Sequence, residues 1–167
     1  MSGKASPDPL VGTVLADRYR ILALIGVGAM GAVYRAEHVS IGKTFAIKVL
    51  SPKLADKPEF VERFLREAKA ASRIQHANVV EITDFGDGSA GVVFMVMELL
   101  EGEDLRRTLK REGALPWPRV RHIMTQIGQA LDAAHGSGVV HRDMKPDNCF
   151  RTTRGGDPDF IKILDFG

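Results

Sequence analysis

Near its C-terminus the chain reads His141-Arg142-Asp143-Met144-Lys145-Pro146-Asp147-Asn148, and then Asp165-Phe166-Gly167. Two acids, an amide and a lysine at these spacings constrain the fold more than any other part of the sequence. Asp143 can take a proton from a hydroxyl. Lys145 supplies positive charge for a phosphate. Asn148 and Asp165 offer the oxygen atoms that a hard cation such as magnesium prefers. Phosphoryl transfer needs such positioning and charge neutralisation more than covalent chemistry. Taken singly, His141 reads as a packed core histidine with no acid–base role, and Asp143 as a turn former. The joint pattern, after a helix and before a strand, is the specific signal.

Upstream, apolar alternation predicts strands over residues 19–25, 32–38, 44–50, 79–85 and 92–98. Pro52 and Pro58 bracket an expected loop. Residues 59–74 carry Phe60, Phe64, Ala68 and Ala71 at three- and four-residue steps, which predicts an amphipathic helix. The first half is therefore expected to be a five-stranded antiparallel sheet with one helix, in an α+β fold. Gly86-Asp87-Gly88-Ser89 reads as a turn. Beyond Glu101-Gly102 the pattern becomes helical, over 104–111 and 118–135, with Gly113 and Gly136 as stops. Residues 161–164 read as a short strand, and 151–159 as a polar loop.

Gly26-Val27-Gly28-Ala29-Met30-Gly31 is a glycine-rich turn. A dinucleotide fingerprint needs a helix directly after its loop. Here a strand follows, which fits a hairpin folded over phosphates, with glycines allowing close approach and positive φ. The bland alternative is a plain hairpin. Lys48 lies in the third strand, where a lysine ordinarily faces solvent. Glu67 falls on the apolar face of the first helix, where a carboxylate needs a partner. Arg63 is in the less favourable order for that role, and Lys48 is the better candidate.

With these residues in hand, the chain resembles the eukaryotic-like (Hanks-type) Ser/Thr protein kinases of bacteria, from about Leu15 to Gly167. The resemblance rests on the glycine loop with Ile25 and Val33, Phe45-Ala46-Ile47-Lys48, Arg63 to Glu67, His76-Ala77-Asn78-Val79-Val80, Met95-Val96-Met97-Glu98, the 141–148 run and Asp-Phe-Gly. It implies a kinase fold with a flexible tail over 1–16, an N-lobe over 17–100 and a partial C-lobe over 101–167. It implies ATP and Mg2+ as cofactors and a protein with Ser or Thr as substrate, and a dimer of the full-length kinase. Catalytic roles fall to Asp143, Lys145, Lys48 and Glu67. Nucleotide contacts fall to Ile25, Gly26, Val27, Gly28, Gly31, Val33, Ala46, Lys48, Met97 as gatekeeper, the backbones of Glu98 and Leu100, Phe150 and Asp165. Glu103 or Asp104 is expected to reach the ribose, and Asn148 and Asp165 to hold metal. Lys145 fits the Ser/Thr rather than the tyrosine pattern. Arg142 resembles the residue that pairs with a phosphorylated activation loop. Ala77 departs from the usual proline.

Composition agrees with a folded domain: 44% apolar, 26% charged, formal net charge +2 and one cysteine, Cys149. It gives no reason for nucleic acid or membrane binding, and a cytoplasmic location is expected from the single thiol and from an N-terminus without a signal-peptide core. Two other readings remain: a non-catalytic nucleotide-binding or scaffold module, and a small-molecule phosphotransferase. The absent activation loop and further helices of the family lead to one more expectation. The 167-residue chain alone should bind nucleotide weakly and not turn over, with Val120, Ile123, Ile127 and Leu131 partly uncovered.

Overall fold

The structure, a computed structural model, describes residues 8–88 and 91–166. Gly167, Ser89 of the expected turn and the first seven residues of the expected tail lie outside them. The chain divides into two compact units, Met1–Leu65 with Thr83–Leu99, and Arg66–Ile82 with Leu100–Gly167.

The first unit is a six-stranded sheet in the order β1-β2-β3-β4-β6-β5. Its strands are β1 (Val14–Leu15), β2 (Tyr19–Val27), β3 (Gly31–His38), β4 (Thr44–Leu50), β5 (Ile82–Asp87) and β6 (Val93–Glu98). The pairs from β1 to β4, and β4 with β6, are antiparallel. The strand beyond the expected five is the two-residue β1. It forms because Leu15 has an apolar site to fill and is 3% exposed. Residues 8–16 are thus pinned rather than loose. Gly12 N–H donates to Ile21 O (2.9 Å), Ile21 N–H donates to Thr13 O (2.9 Å), and Tyr34 Oη–H donates to Asp8 Oδ2 (2.9 Å). The fifth strand starts at Ile82, not Val79; Val79 makes only an isolated parallel bridge to Ile163. The expected loop after Pro52 holds one helical turn, α1 (Pro52–Ala55), with proline in its first turn.

Cross-strand partners share a face of a sheet. Ala32, Val49 and Phe94 are such partners, and with Tyr34, Ile47 and Val96 they form the apolar core of this unit. Val33, Lys48 and Met95 are partners on the opposite face, as are Ala46 and Met97.

Helix α2 (Pro58–Ala71) runs across the division between the units. The second unit holds α3 (Leu105–Glu112), α4 (Trp117–Gly136) and a three-stranded sheet in the order β7-β8-β9. Its strands are β7 (Gly102–Asp104), β8 (Cys149–Arg154) and β9 (Asp157–Ile163). The last two replace the polar loop expected over 151–159. Gly155 and Gly156, at φ 58° and 84°, form a two-residue turn between paired Arg154 and Asp157. Two consecutive positive φ values are what such a turn demands.

Ion pairs fasten this hairpin. Arg119 of α4 grips Asp159 with two bonds, Nε to Oδ2 at 2.6 Å and Nη2 to Oδ1 at 2.8 Å, and also meets Glu112. Arg151 bridges Asp159 (3.2 Å) and Glu103 (3.0 Å). The hairpin also buries α4: Ile123 and Ile127 are 3% and 7% exposed in one core with Ile161 and Ile163. The expectation of a bare helix face is thus corrected for Ile123 and Ile127. Val120 and Leu131 are half-buried and line an apolar groove of about 390 Å³ with Leu105, Leu109, Met124 and Met144.

Candidate active site

The run from His141 to Asn148 is held by backbone and imidazole bonds. His141 is 2% exposed, as a packed histidine should be. Its Nε2–H donates to Leu164 O at 2.8 Å, and Nδ1 accepts from the Asp143 N–H at 3.3 Å. Its ring lies 4.8 Å from that of Phe166. Asn148 N–H donates to Lys145 O (3.0 Å), closing the 3-10 turn Pro146–Asn148, and Leu164 N–H donates to Asn148 O (2.9 Å). The last bond and the histidine bond bring the segment before Asp165 onto the run. Arg142 and Asp165 take φ of 62° and 53°. Non-glycine residues rarely adopt the left-handed region, and such strain gathers at functional sites.

Asp143, Lys145 and Asn148 come together. Lys145 Nζ donates to Asp143 Oδ2 at 2.7 Å, and Asn148 Nδ2 donates to Asp143 O (2.8 Å) and Oδ2 (3.2 Å). The Lys145 ammonium, and secondarily the Asn148 amide, hold the Asp143 carboxyl below the usual carboxylate range. The same pairing raises Lys145. Asp143 is therefore a carboxylate that can only accept hydrogen bonds, on a side chain that is 60% exposed.

The donor set fits magnesium. Asn148 uses its amide nitrogen on Asp143, and its amide oxygen is the hard donor; Asp165 supplies a carboxylate. Among the described residues no group of three or more His, Cys, Asp or Glu side chains could cage a metal. Magnesium seldom uses an all-protein cage: it takes one or two protein oxygens and completes its shell with water and substrate phosphates.

Of the residues expected at the nucleotide, Ile25, Gly26, Val27, Gly28, Gly31, Val33, Ala46, Lys48, Met97 and Glu98 lie in the first unit. Val33, Ala46, Lys48 and Met97 are on the sheet face opposite its apolar core. Glu67, Leu100, Phe150, Asp143, Lys145, Asn148 and Asp165 lie in the second. The glycine loop is a hairpin, closed by Gly28 N–H donating to Gly31 O at 2.8 Å. None of its three glycines has positive φ, and the close approach is made at Gly31 alone. A Cβ on Gly31 would stand 1.9 Å from Val49 O. Glu67 is half-buried; the buried stripe of α2 is Phe64, Ala68 and Ala71.

Glu103 departs from its expected ribose role. Arg111, Thr108 and Arg151 all donate to its carboxylate, and Arg111 foremost lowers it to about 2. Asp104 caps α3, its Oδ1 accepting from Arg107 N–H at 2.8 Å. Sequence reading missed Gln126, the 7% exposed partner of Asn78, and the pair Arg106–Asp147, which is 41 residues apart. No local pattern announces either contact.

The chain is similar to known proteins. Serine/threonine-protein kinase pkn3 of Myxococcus xanthus is 47% identical over 160 residues, covering 96% of this chain and 29% of that protein. Serine/threonine-protein kinase PknA of Mycobacterium tuberculosis is 39% identical over 164 residues, covering 96% of this chain and 37% of the relative. The chain thus spans about a third of the length of these relatives. The crystal structure of the Mycobacterium tuberculosis PknI kinase domain superposes with a TM-score of 0.76 at 35% identity, over 93% of this chain and 61% of that one. No helix of the described residues is long and apolar enough to cross a membrane. Residues 19–167 match the protein kinase domain family, and the chain belongs to it.

Proposed function

We propose that the chain carries the nucleotide-binding and catalytic elements of a protein serine/threonine kinase, which transfers the γ-phosphoryl group of Mg-ATP to a protein hydroxyl. The observation that carries this reading is the Asp143 carboxylate, kept ionised by Lys145 at 2.7 Å and fixed by Asn148. Asp143 orients the attacking Ser or Thr hydroxyl and accepts its proton. Lys145, beside it, is placed to share its charge with the γ-phosphate. Asn148 and Asp165 hold the metal. Magnesium, when bound, neutralises the charge that develops on the phosphate oxygens.

The first unit supplies the rest of the nucleotide site. Lys48 holds the α- and β-phosphates and pairs with Glu67. The hairpin 26–31 covers the phosphates, with Ile25 and Val27 at its rim. Val33, Ala46 and Phe150 sandwich the adenine, Met97 gates it, and the Glu98 and Leu100 backbones read its edge. The lobes correspond to 17–100 and 101–167, and the reaction belongs to the cytoplasm, where ATP is available.

Joining the chain to the remaining part of a relative's kinase domain provides the test. With radiolabelled ATP and a generic protein, phosphoserine and phosphothreonine are expected. Asp143→Asn should lower turnover by about 10²–10⁴-fold with nucleotide affinity nearly intact. Phosphotyrosine as the main product sinks the Ser/Thr assignment. Binding of nucleotide without any phosphotransfer supports the non-catalytic module instead.

A further inference from the structure

Asp147 is the one acid of the 141–148 run that the proposed reaction leaves without a role. Its Oδ1 accepts from Arg106 Nε of α3 at 2.6 Å, a charge-assisted bond. Its Oδ2 is shielded from solvent and has no hydrogen-bond partner among the described residues. A carboxylate with one shielded, unbonded oxygen is tolerable only while a cation holds the other. Arg106 is the cation that holds this side chain, beside a bond from Asp147's own backbone N–H. Asp147 is the middle residue of the turn Pro146–Asn148, and the next residue is the metal-binding candidate Asn148. The turn's other anchors are Asn148 N–H to Lys145 O, Cys149 N–H to Pro146 O, Leu164 N–H to Asn148 O, and the Asn148 amide on Asp143.

We propose that Arg106 is a positioning residue for the metal site. By gripping Asp147 it fixes the turn, and through the turn it sets the direction of the Asn148 amide oxygen. α3 is a sound base for that grip. Asp104 caps its start, and at its end Gly113, at φ 74°, closes the helix by donating N–H to Leu109 O at 2.9 Å. Without Arg106 the Asp147 carboxylate has reason to turn out to water or toward Lys145, on which its charge already acts. Either movement carries the turn with it. The role assigned to Arg106 runs through Asp147 and includes no contact of its own with metal or nucleotide. The inference rests on the proposed kinase reading, because that reading gives Asn148 its metal.

The chain joined to the remaining part of a relative's kinase domain, carrying Arg106→Ala, Arg106→Lys or Asp147→Asn, tests it. Two quantities are read: the Mg2+ concentration at half-maximal binding of fluorescent ATP, and amide hydrogen exchange. Arg106→Ala should raise the Mg2+ midpoint by about threefold to tenfold, less than the roughly 10–100-fold lost with a partner bonded to the ligand itself, because Arg106 acts through Asp147; metal-free affinity should be unchanged. Arg106→Lys should restore most of it, and Asp147→Asn should match Arg106→Ala. Exchange at Asn148 and Leu164 should quicken while α4 amides such as Ile127 and Ala130 keep their protection. An unchanged midpoint in a chain whose unaltered form binds Mg-ATP overturns the role of Arg106 alone. So does exchange that quickens equally in α4, which marks general loosening. Absence of Mg2+-dependent binding in the unaltered joined protein overturns the kinase reading and this role together.

Discussion

Replacing Asn78 by Asp should damage the second unit more than replacing it by Ala, although Asp is the closer match in shape. Asn78 is 5% exposed. Its Nδ2 donates to Gln126 Oε1 at 2.9 Å and to Ile161 O at 2.8 Å. Gln126 is itself committed, its Oε1 accepting from Ile161 N–H and its Nε2 donating to Asp159 O. Asn78→Ala removes two hydrogen bonds and leaves both acceptors short of a donor. At about 1 kcal/mol net per bond plus a penalty for the unmet groups, the loss is about 2–4 kcal/mol. Asn78→Asp puts a carboxylate oxygen where Nδ2 stood, against two acceptors, and buries a charge. That adds several kcal/mol, for about 4–6 kcal/mol in all, close to the whole stability of a small domain. The new carboxyl is best tolerated protonated, so its folded pKa lies above its unfolded value. Relative stability is then present at low pH and lost as pH rises through the folded pKa. Urea denaturation of both variants and the unaltered chain across this range measures it. An Asn78→Asp variant as stable as Asn78→Ala at neutral pH, or with no pH dependence beyond that of the unaltered chain, would refute the assignment of Nδ2 to these acceptors.

Gly31→Ala should destabilise the glycine hairpin by about 1–3 kcal/mol, because the added Cβ meets Val49 O, a backbone atom, at 1.9 Å; Gly28→Ala, with nothing nearer than 3.9 Å, should not, and thermal melts of the two separate them. Glu103 is lowered from 4.5 to about 2, chiefly by Arg111, and Arg119 lowers Glu112 and Asp159. Their stabilisation is present above the unfolded values and withdrawn as pH falls toward the folded ones, so Glu103→Gln should flatten the acid limb of a stability–pH curve. Lys48→Met and Glu67→Gln should couple by more than about 0.5 kcal/mol in a double-mutant cycle on ATP affinity; strict additivity counts against the pair.

The elements with strong periodicity were legible. Apolar alternation placed the five longer strands of the first unit, three- and four-residue spacing placed α2 and α4, and the stop at Gly113 placed α3, all within a few residues. What sequence could not show was pairing at a distance. β1 is two residues long, and its warrant is one buried leucine. β8 and β9 carry polar side chains whose place in a sheet comes from distant partners: Asp159 is held by Arg119 of α4, and Arg151 by Glu103 of β7 and Asp159 of β9. Gly155-Gly156 was a turn signal, but without visible strands beside it the segment read as a loop. The site was legible as residue types: Asp143, Lys145 and Asn148 do meet. Glu103 read as a ribose ligand only while Arg111 and Arg151 were out of view.

The overlooked hairpin changes how the site is understood. Asp143 and Asn148 stand on irregular backbone, which has little stiffness of its own, so something regular must fix them. β9 does so from two sides. Its Ile163 N–H donates to Asn78 O (2.7 Å), and its Ile163 O accepts from Val80 N–H (3.0 Å), which docks it on the segment after α2. Ile161 and Ile163, both fully buried, anchor it in the core with α4. The chain leaving β9 passes through Leu164, whose N–H meets Asn148 O and whose carbonyl meets His141. The strand thus delivers Asp165 and holds the turn of Asn148 through one residue. Rigid support outside the reacting groups is what keeps metal-ligand geometry within useful limits. Here that support is the polar hairpin, and its ion pairs to Arg119 and Glu103 are part of the frame on which the site is built.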